Sequence, residues 1–142
     1  MKKLMLALML LASFGAQAEE VYLLPGYDDV GNEMPKTELW YTLYLSRKCQ
    51  LPIANQKNLL DADIYNPAFK NRKPDSGCWG MALEPTKSQV VIIEQYGHVR
   101  QLNLTAFARA KISGSGAYII QGPAMTFEQV RENTKRYHDT FR

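Results

Sequence analysis

Cys78-Trp79-Gly80-Met81-Ala82-Leu83 alternates large and small side chains, which puts Trp79, Met81 and Leu83 on one face of an extended chain. A turn over residues 84–89, containing Pro85, leads into Val90-Val91-Ile92-Ile93, a run that is β-branched throughout. Tyr96-Gly97 then turns the chain into residues 98–104, where Leu102 and Leu104 alternate with polar neighbours. Two such runs joined by a short glycine-containing link read as a hairpin. Residues 78–104 therefore predict a three-stranded antiparallel meander, and a β-rich domain follows from it.

Upstream, residues 37–45 form the densest apolar element. Leu39, Tyr41, Leu43 and Leu45 alternate with Trp40, Thr42 and Tyr44, so both faces are apolar, as in a central strand. A helix starting at Thr37, with Leu39, Trp40, Leu43 and Tyr44 on one side, is the competing reading. Residues 46–77 are long and mixed, with a short helix expected around 55–64. Residues 19–36 hold closely spaced turn formers, among them Pro25-Gly26, Asp28-Asp29, Gly31-Asn32 and Pro35, and read as an irregular arm. A short strand over residues 21–24 would tie that arm down.

Downstream, residues 105–112 fit helix and strand about equally, because Ala106, Ala108 and Ala110 favour helix but also recur with period two. Ser113-Gly114-Ser115-Gly116 is a break, and residues 117–121 a short strand ended by Gly122-Pro123. The C-terminus carries the clearest helix signal. Thr126 and Gln129 have capping-box spacing, and Phe127, Val130, Thr134, Tyr137 and Phe141 recur at steps of three and four as one inward-facing stripe. Glu132 and Arg136 are spaced for a helical ion pair. The expected architecture is α+β: an antiparallel sheet packed against this C-terminal amphipathic helix, with one disulfide.

The first 18 residues govern the compartment. Met1-Lys2-Lys3 is basic, residues 4–14 are uncharged with Ser13 alone polar, and Ala16-Gln17-Ala18 places small side chains where a signal peptidase reads them. That order is a secretory signal peptide, and its apolar stretch is too short to span a bilayer stably. Cleavage is expected after Ala18, leaving residues 19–142 as a single exported domain in the periplasm. Removing Lys2 and Lys3 takes two from the 17 basic residues, against 14 acidic ones, so the formal charge falls from +3 to +1. Nothing in that balance points to nucleic acid, and no second apolar stretch approaches a membrane span. A hydrophobic content of 46% with 22% charged residues is ordinary for a folded domain, which argues against general disorder.

Cys49 and Cys78 are the two cysteines, and in an oxidising compartment an even count pairs. Closing that loop stabilises the fold by roughly 3–4 kcal/mol in the chain-entropy model. The pair is not a Cys-x-x-Cys redox motif. Trp79 beside Cys78 reads as a ring packed on the disulfide, with Gly80 allowing close approach.

The chemical candidates are sparse. Asp61-Ala62-Asp63 could open a calcium loop, but Tyr65 and Asn66 stand where an EF-hand wants a carboxylate or amide and then glycine, so a solvated loop or helix start is preferred. His98 and His138 are the only histidines, too few for a zinc site once the cysteines are bonded. No Gly-x-Ser-x-Gly elbow surrounds Ser115. Ser113-Gly114-Ser115-Gly116 leads toward an extended segment, so a tight turn is expected in place of a phosphate cradle. Trp40, Tyr41 and Tyr44 could form a platform, but on a strand apolar on both sides burial is the default. Lys70, Arg72 and Lys73 form a basic cluster on a loop that the disulfide would restrain, the best candidate for a partner-binding loop.

These features predict a non-catalytic periplasmic module that binds another protein of the cell envelope, of the inhibitor, immunity or accessory type, and they imply no cofactor or metal. A structural subunit of a secretion or conjugation apparatus and a small secreted hydrolase using His98 or His138 are the alternatives.

Overall fold

The computed structural model describes residues 18–26, 32–34, 36–69 and 72–142. The predicted leader, apart from Ala18, lies outside those residues, as do Asp28, Asp29, Gly31, Pro35 and Lys70. Among the described residues there are nine strands: β1 (Glu20–Pro25), β2 (Glu33–Met34), β3 (Leu39–Lys48), β4 (Leu60–Ile64), β5 (Asp75–Met81), β6 (Gln89–Glu94), β7 (Val99–Asn103), β8 (Ala108–Ile112) and β9 (Tyr118–Pro123). One helix, α1 (Phe127–Asp139), follows. All strands belong to one antiparallel sheet in the order β2-β9-β8-β1-β3-β4-β5-β6-β7. The α+β class, the meander over β5, β6 and β7, and the disulfide are all present, within a sheet much larger than the meander alone.

Strand β3 explains why the sheet is so large. Its residues enter two cores on opposite faces, and a bulge opposite Leu24 and Pro25 brings Leu39 to the same side as Tyr44. Tyr41 and Leu43 join Ala62, Trp79, Val90 and Ile92 on one face; Leu39 and Tyr44 join Val21, Leu23, Met34, Ala110 and Tyr118 on the other. A strand apolar on both sides is the shared wall between them. The link from β7 to β8 crosses from the sheet edge back to the side of β1, and it buries Leu104 and Phe107 in the first core as it does so.

Several expectations change here. The strand expected over residues 21–24 is present, but it is central and no tether of an arm: β1 lies between β3 and β8, with Val21 and Leu23 fully buried, because its apolar residues face both cores. The helix expected around residues 55–64 is a 3-10 turn over Gln56–Asn58 followed by β4. Asp61-Ala62-Asp63 is accordingly strand, with Ala62 fully buried and the two carboxylates on the opposite face. Residues 105–112 resolve into a 3-10 turn, which Asn103 caps by accepting from Thr105 N, and then strand β8.

The pairing of β3 with β4 breaks between Leu43 and Lys48, where β3 carries extra residues while staying paired with β1. At that break the indole Nε1 of Trp79 donates to the Tyr44 carbonyl at 3.0 Å, satisfying a buried backbone acceptor. The Trp79 ring meets Tyr22 edge-on at 5.9 Å. Cys78, its neighbour on the strand, points to the opposite face, so the disulfide and the indole do not share one side as expected. Gly80 makes room for Leu59, since a Cβ there would sit 2.9 Å from Leu59 Cδ2.

Cys49 and Cys78 are bonded, with Cα atoms 5.2 Å apart. The bridge ties the β3–β4 connection to β5, and Cys49 N also donates to the Leu59 carbonyl. It does not clamp the basic loop, which is the hairpin connection at the other end of β4 and β5.

Candidate docking site

The meander and α1 meet at the connection between β5 and β6. β5 ends at Met81, and Glu84 organises the turn that follows. One carboxylate oxygen accepts from Thr86 N at 2.7 Å and from the Thr86 hydroxyl. The other accepts from Ser88 N at 2.6 Å and Gln89 N at 3.1 Å. Burial alone would raise the Glu84 pKa, but these donors outweigh it and hold the carboxyl below its usual range. Lys87 takes a left-handed backbone, φ 50°, within the same turn. The Thr86 and Ser88 hydroxyls are 2.6 Å apart, and Asn133 of α1 donates to the Thr86 carbonyl at 2.8 Å. Strand, turn and helix are thus fastened together.

Helix α1 starts as its sequence dictates. Thr126 Oγ1 accepts from Gln129 N, and Gln129 Oε1 accepts from Thr126 N at 2.8 Å. Glu132 and Arg136 pair at 3.4 Å. The apolar stripe, however, is not inward along its length. No residue of the helix is buried; Val130, Asn133 and Thr134 are half-buried, while Phe127 is 81% exposed and Phe141, just beyond the helix, 73%. The body of the protein meets the middle of the helix and leaves its ends overhanging.

Under the overhang lies a groove of about 690 Å³, with Met81, Leu83, Pro85 and Lys87 on one wall and Arg136, Tyr137 and Thr140 on the other. Leu83 is fully exposed, and Met81 and Tyr137 remain about half exposed. Tyr137 and Phe141 stack edge-on with centroids 4.9 Å apart. Large apolar side chains held outward on an immobilised turn, opposite exposed aromatics, have the composition of a protein-binding patch.

The predicted site residues fall elsewhere. Arg72 and Lys73 are exposed on the β4–β5 connection, with the Arg72 guanidinium 6.0 Å from the centroid of the exposed Phe69 ring. That loop and the groove stand at opposite ends of β5, roughly 20 Å apart at the rise of a strand. His98 is exposed in the β6–β7 turn and His138 on α1; among the described residues neither bonds a serine, cysteine or carboxylate. Ser113-Gly114-Ser115-Gly116 is the β8–β9 turn, closed by Gly116 N donating to Ser113 O, with Gly116 at φ 82°. Among the described residues no group of three or more His, Cys, Asp or Glu stands close enough to hold a metal ion, and no helix is long and apolar enough to cross a membrane.

The aromatic platform divides. Trp40 is half exposed, whereas Tyr41 and Tyr44 are buried. Tyr44 donates to Asp63 at 2.8 Å, and burial, reinforced by Asp63, pushes its hydroxyl pKa far above the usual tyrosine value. Tyr65, Thr42 and Tyr118 complete that cluster by mutual hydrogen bonds. A smaller cleft of about 330 Å³ opens beside Leu24, Ile64 and Leu102, and its polar groups engage one another, Tyr41 donating to Glu94 and Arg100 standing 3.5 Å from the same carboxylate.

The sequence placed Leu83 on one strand face with Trp79 and Met81, but β5 ends at Met81, so Trp79 is buried while Leu83 stands fully exposed in the turn beyond. Glu84 and Asn133 were not singled out from sequence. No family model, curated protein or solved structure matches the chain.

Proposed function

We propose that the protein is a non-catalytic, exported binding module that docks another protein of the cell envelope in the groove between α1 and the β5–β6 connection. The observation that carries this reading is Leu83: a leucine fully exposed on a turn that Glu84 and Asn133 hold rigid, facing the uncovered Tyr137 ring. Holding a contact residue in its bound geometry lowers the ordering cost of association. A leucine left in water without such a role is a liability, since contiguous exposed apolar surface invites non-specific association. Export is supported by the basic, apolar and small order of residues 1–18 and is compatible with the Cys49–Cys78 bridge.

Site-specific photo-crosslinking tests both the activity and its location. A benzoylphenylalanine at position 83 is expected to trap a discrete envelope protein in living cells, whereas the same group at position 72 traps none. Equal trapping at both positions, or trapping at position 72 alone, would return the partner site to the basic loop. Recovery of the uncleaved chain in the cytosol would remove the export part of the reading.

A further inference from the structure

We infer that the segment received by the groove is an apolar peptide flanked by acidic residues, a conclusion that rests on the docking reading above. Glu128, Glu132 and Asp139 recur at steps of four and seven, so they share one exposed face. Arg131 and Lys135 lie on the side of the helix turned away from the groove residues Asn133, Tyr137 and Thr140, and Arg131 pairs with Glu128 at 3.7 Å. Arg136 and Lys87 line the groove itself.

The groove thus carries one cation on each wall, Lys87 on the turn and Arg136 on the helix. Glu84 is the one carboxylate among the groove's lining residues, and its oxygens are taken up by the donors of its own turn. Arg136 does pair with Glu132, but with both side chains well exposed the pair leaves the guanidinium open to a further partner.

Two other occupants fit less well. A second copy of this chain would bring the same cations against each other. A bilayer surface is flat on this scale, whereas Leu83 and Tyr137 stand on opposite walls of a concave groove. A segment with a central leucine or aromatic between the walls and carboxylates over the two rims satisfies both the shape and the charge.

The test titrates the isotope-labelled mature chain with two synthetic peptides that share a leucine-phenylalanine centre, one flanked by aspartate and glutamate, the other by lysine and arginine. The acidic-flanked peptide is expected to shift the amides of Met81, Leu83, Tyr137 and Thr140. It should bind about tenfold more tightly than the basic one at low salt, the margin of two exposed ion pairs, and lose that margin as salt is added. The double variant Lys87→Glu with Arg136→Glu, both exposed positions, is expected to reverse the preference. Equal binding of the two peptides at the groove would overturn the charge rule and leave the docking reading standing. Groove amides unmoved by either peptide would overturn both. Stronger shifts of the same amides by phosphatidylglycerol vesicles than by the acidic peptide would replace the peptide with a membrane surface.

Discussion

Gly77 shows how much a single missing side chain settles. A Cβ there would stand 2.5 Å from Ile64 Cδ1 and 3.1 Å from the Ile93 carbonyl, so strand and side chain would both have to move. Gly77→Ala is therefore expected to destabilise by about 1–3 kcal/mol, the usual penalty of overpacking a closed site. Gly80→Ala meets only the flexible end of Leu59 and should cost distinctly less. Urea midpoints of the two variants check the order, and a reversed order would mean that Ile64 yields more easily than its packing suggests. Trp79→Phe keeps the ring contact with Tyr22 but strands the Tyr44 carbonyl, an expected loss of about 1–3 kcal/mol in the same measurement. The sequence marked Trp79 as core, but its hydrogen bond depends on a break in the pairing of distant strands.

At the scale of elements, the helix and the turn it clamps behave differently. Helix α1 buries no residue, so its capping box contributes to a local equilibrium more than to the whole fold. Thr126→Ala is expected to weaken the helix by about 1 kcal/mol. Amide exchange over the first helical turn should speed by several-fold, while the global melting temperature barely changes. A large fall in that temperature would show the helix to be integral to the core. The β5–β6 turn titrates instead. The Glu84 carboxyl is held below the ordinary glutamate value of 4.5, so its contribution to stability is complete above that pH and is lost as pH falls through the depressed value. The stability gap between the native chain and Glu84→Gln should accordingly shrink on acidification, read from denaturant curves at successive pH values. A constant gap would mean that the glutamine reproduces the turn's hydrogen bonds.

Across the whole molecule, the disulfide is a covalent constraint joining residues 29 positions apart, one in the β3–β4 connection and the other in β5. Reduction is expected to lower unfolding stability by roughly 3–4 kcal/mol. Against a typical total of about 5–15 kcal/mol that is a visible share, and denaturation with and without reductant measures it. The capping-box helix, the three strands of the meander and the cysteine pair were legible because each is written in local spacing or in simple parity. A short strand over residues 21–24 was legible too, but not its central place between β3 and β8, which distant strands decide. β4 was obscured because the carboxylates flanking Ala62 resemble a loop until the neighbouring strands bury that alanine.

Periodicity, capping and cysteine parity along the chain by themselves determined the α+β class, the meander, the terminal helix and the cross-link. Only the tertiary structure decided which apolar faces are covered. The same three-and-four spacing that announces an amphipathic stripe is compatible with burial or with exposure, and the reach of the sheet beneath α1 leaves Phe127, Tyr137 and Leu83 in water. Burial depends on what stands opposite, and residues distant in sequence supply it.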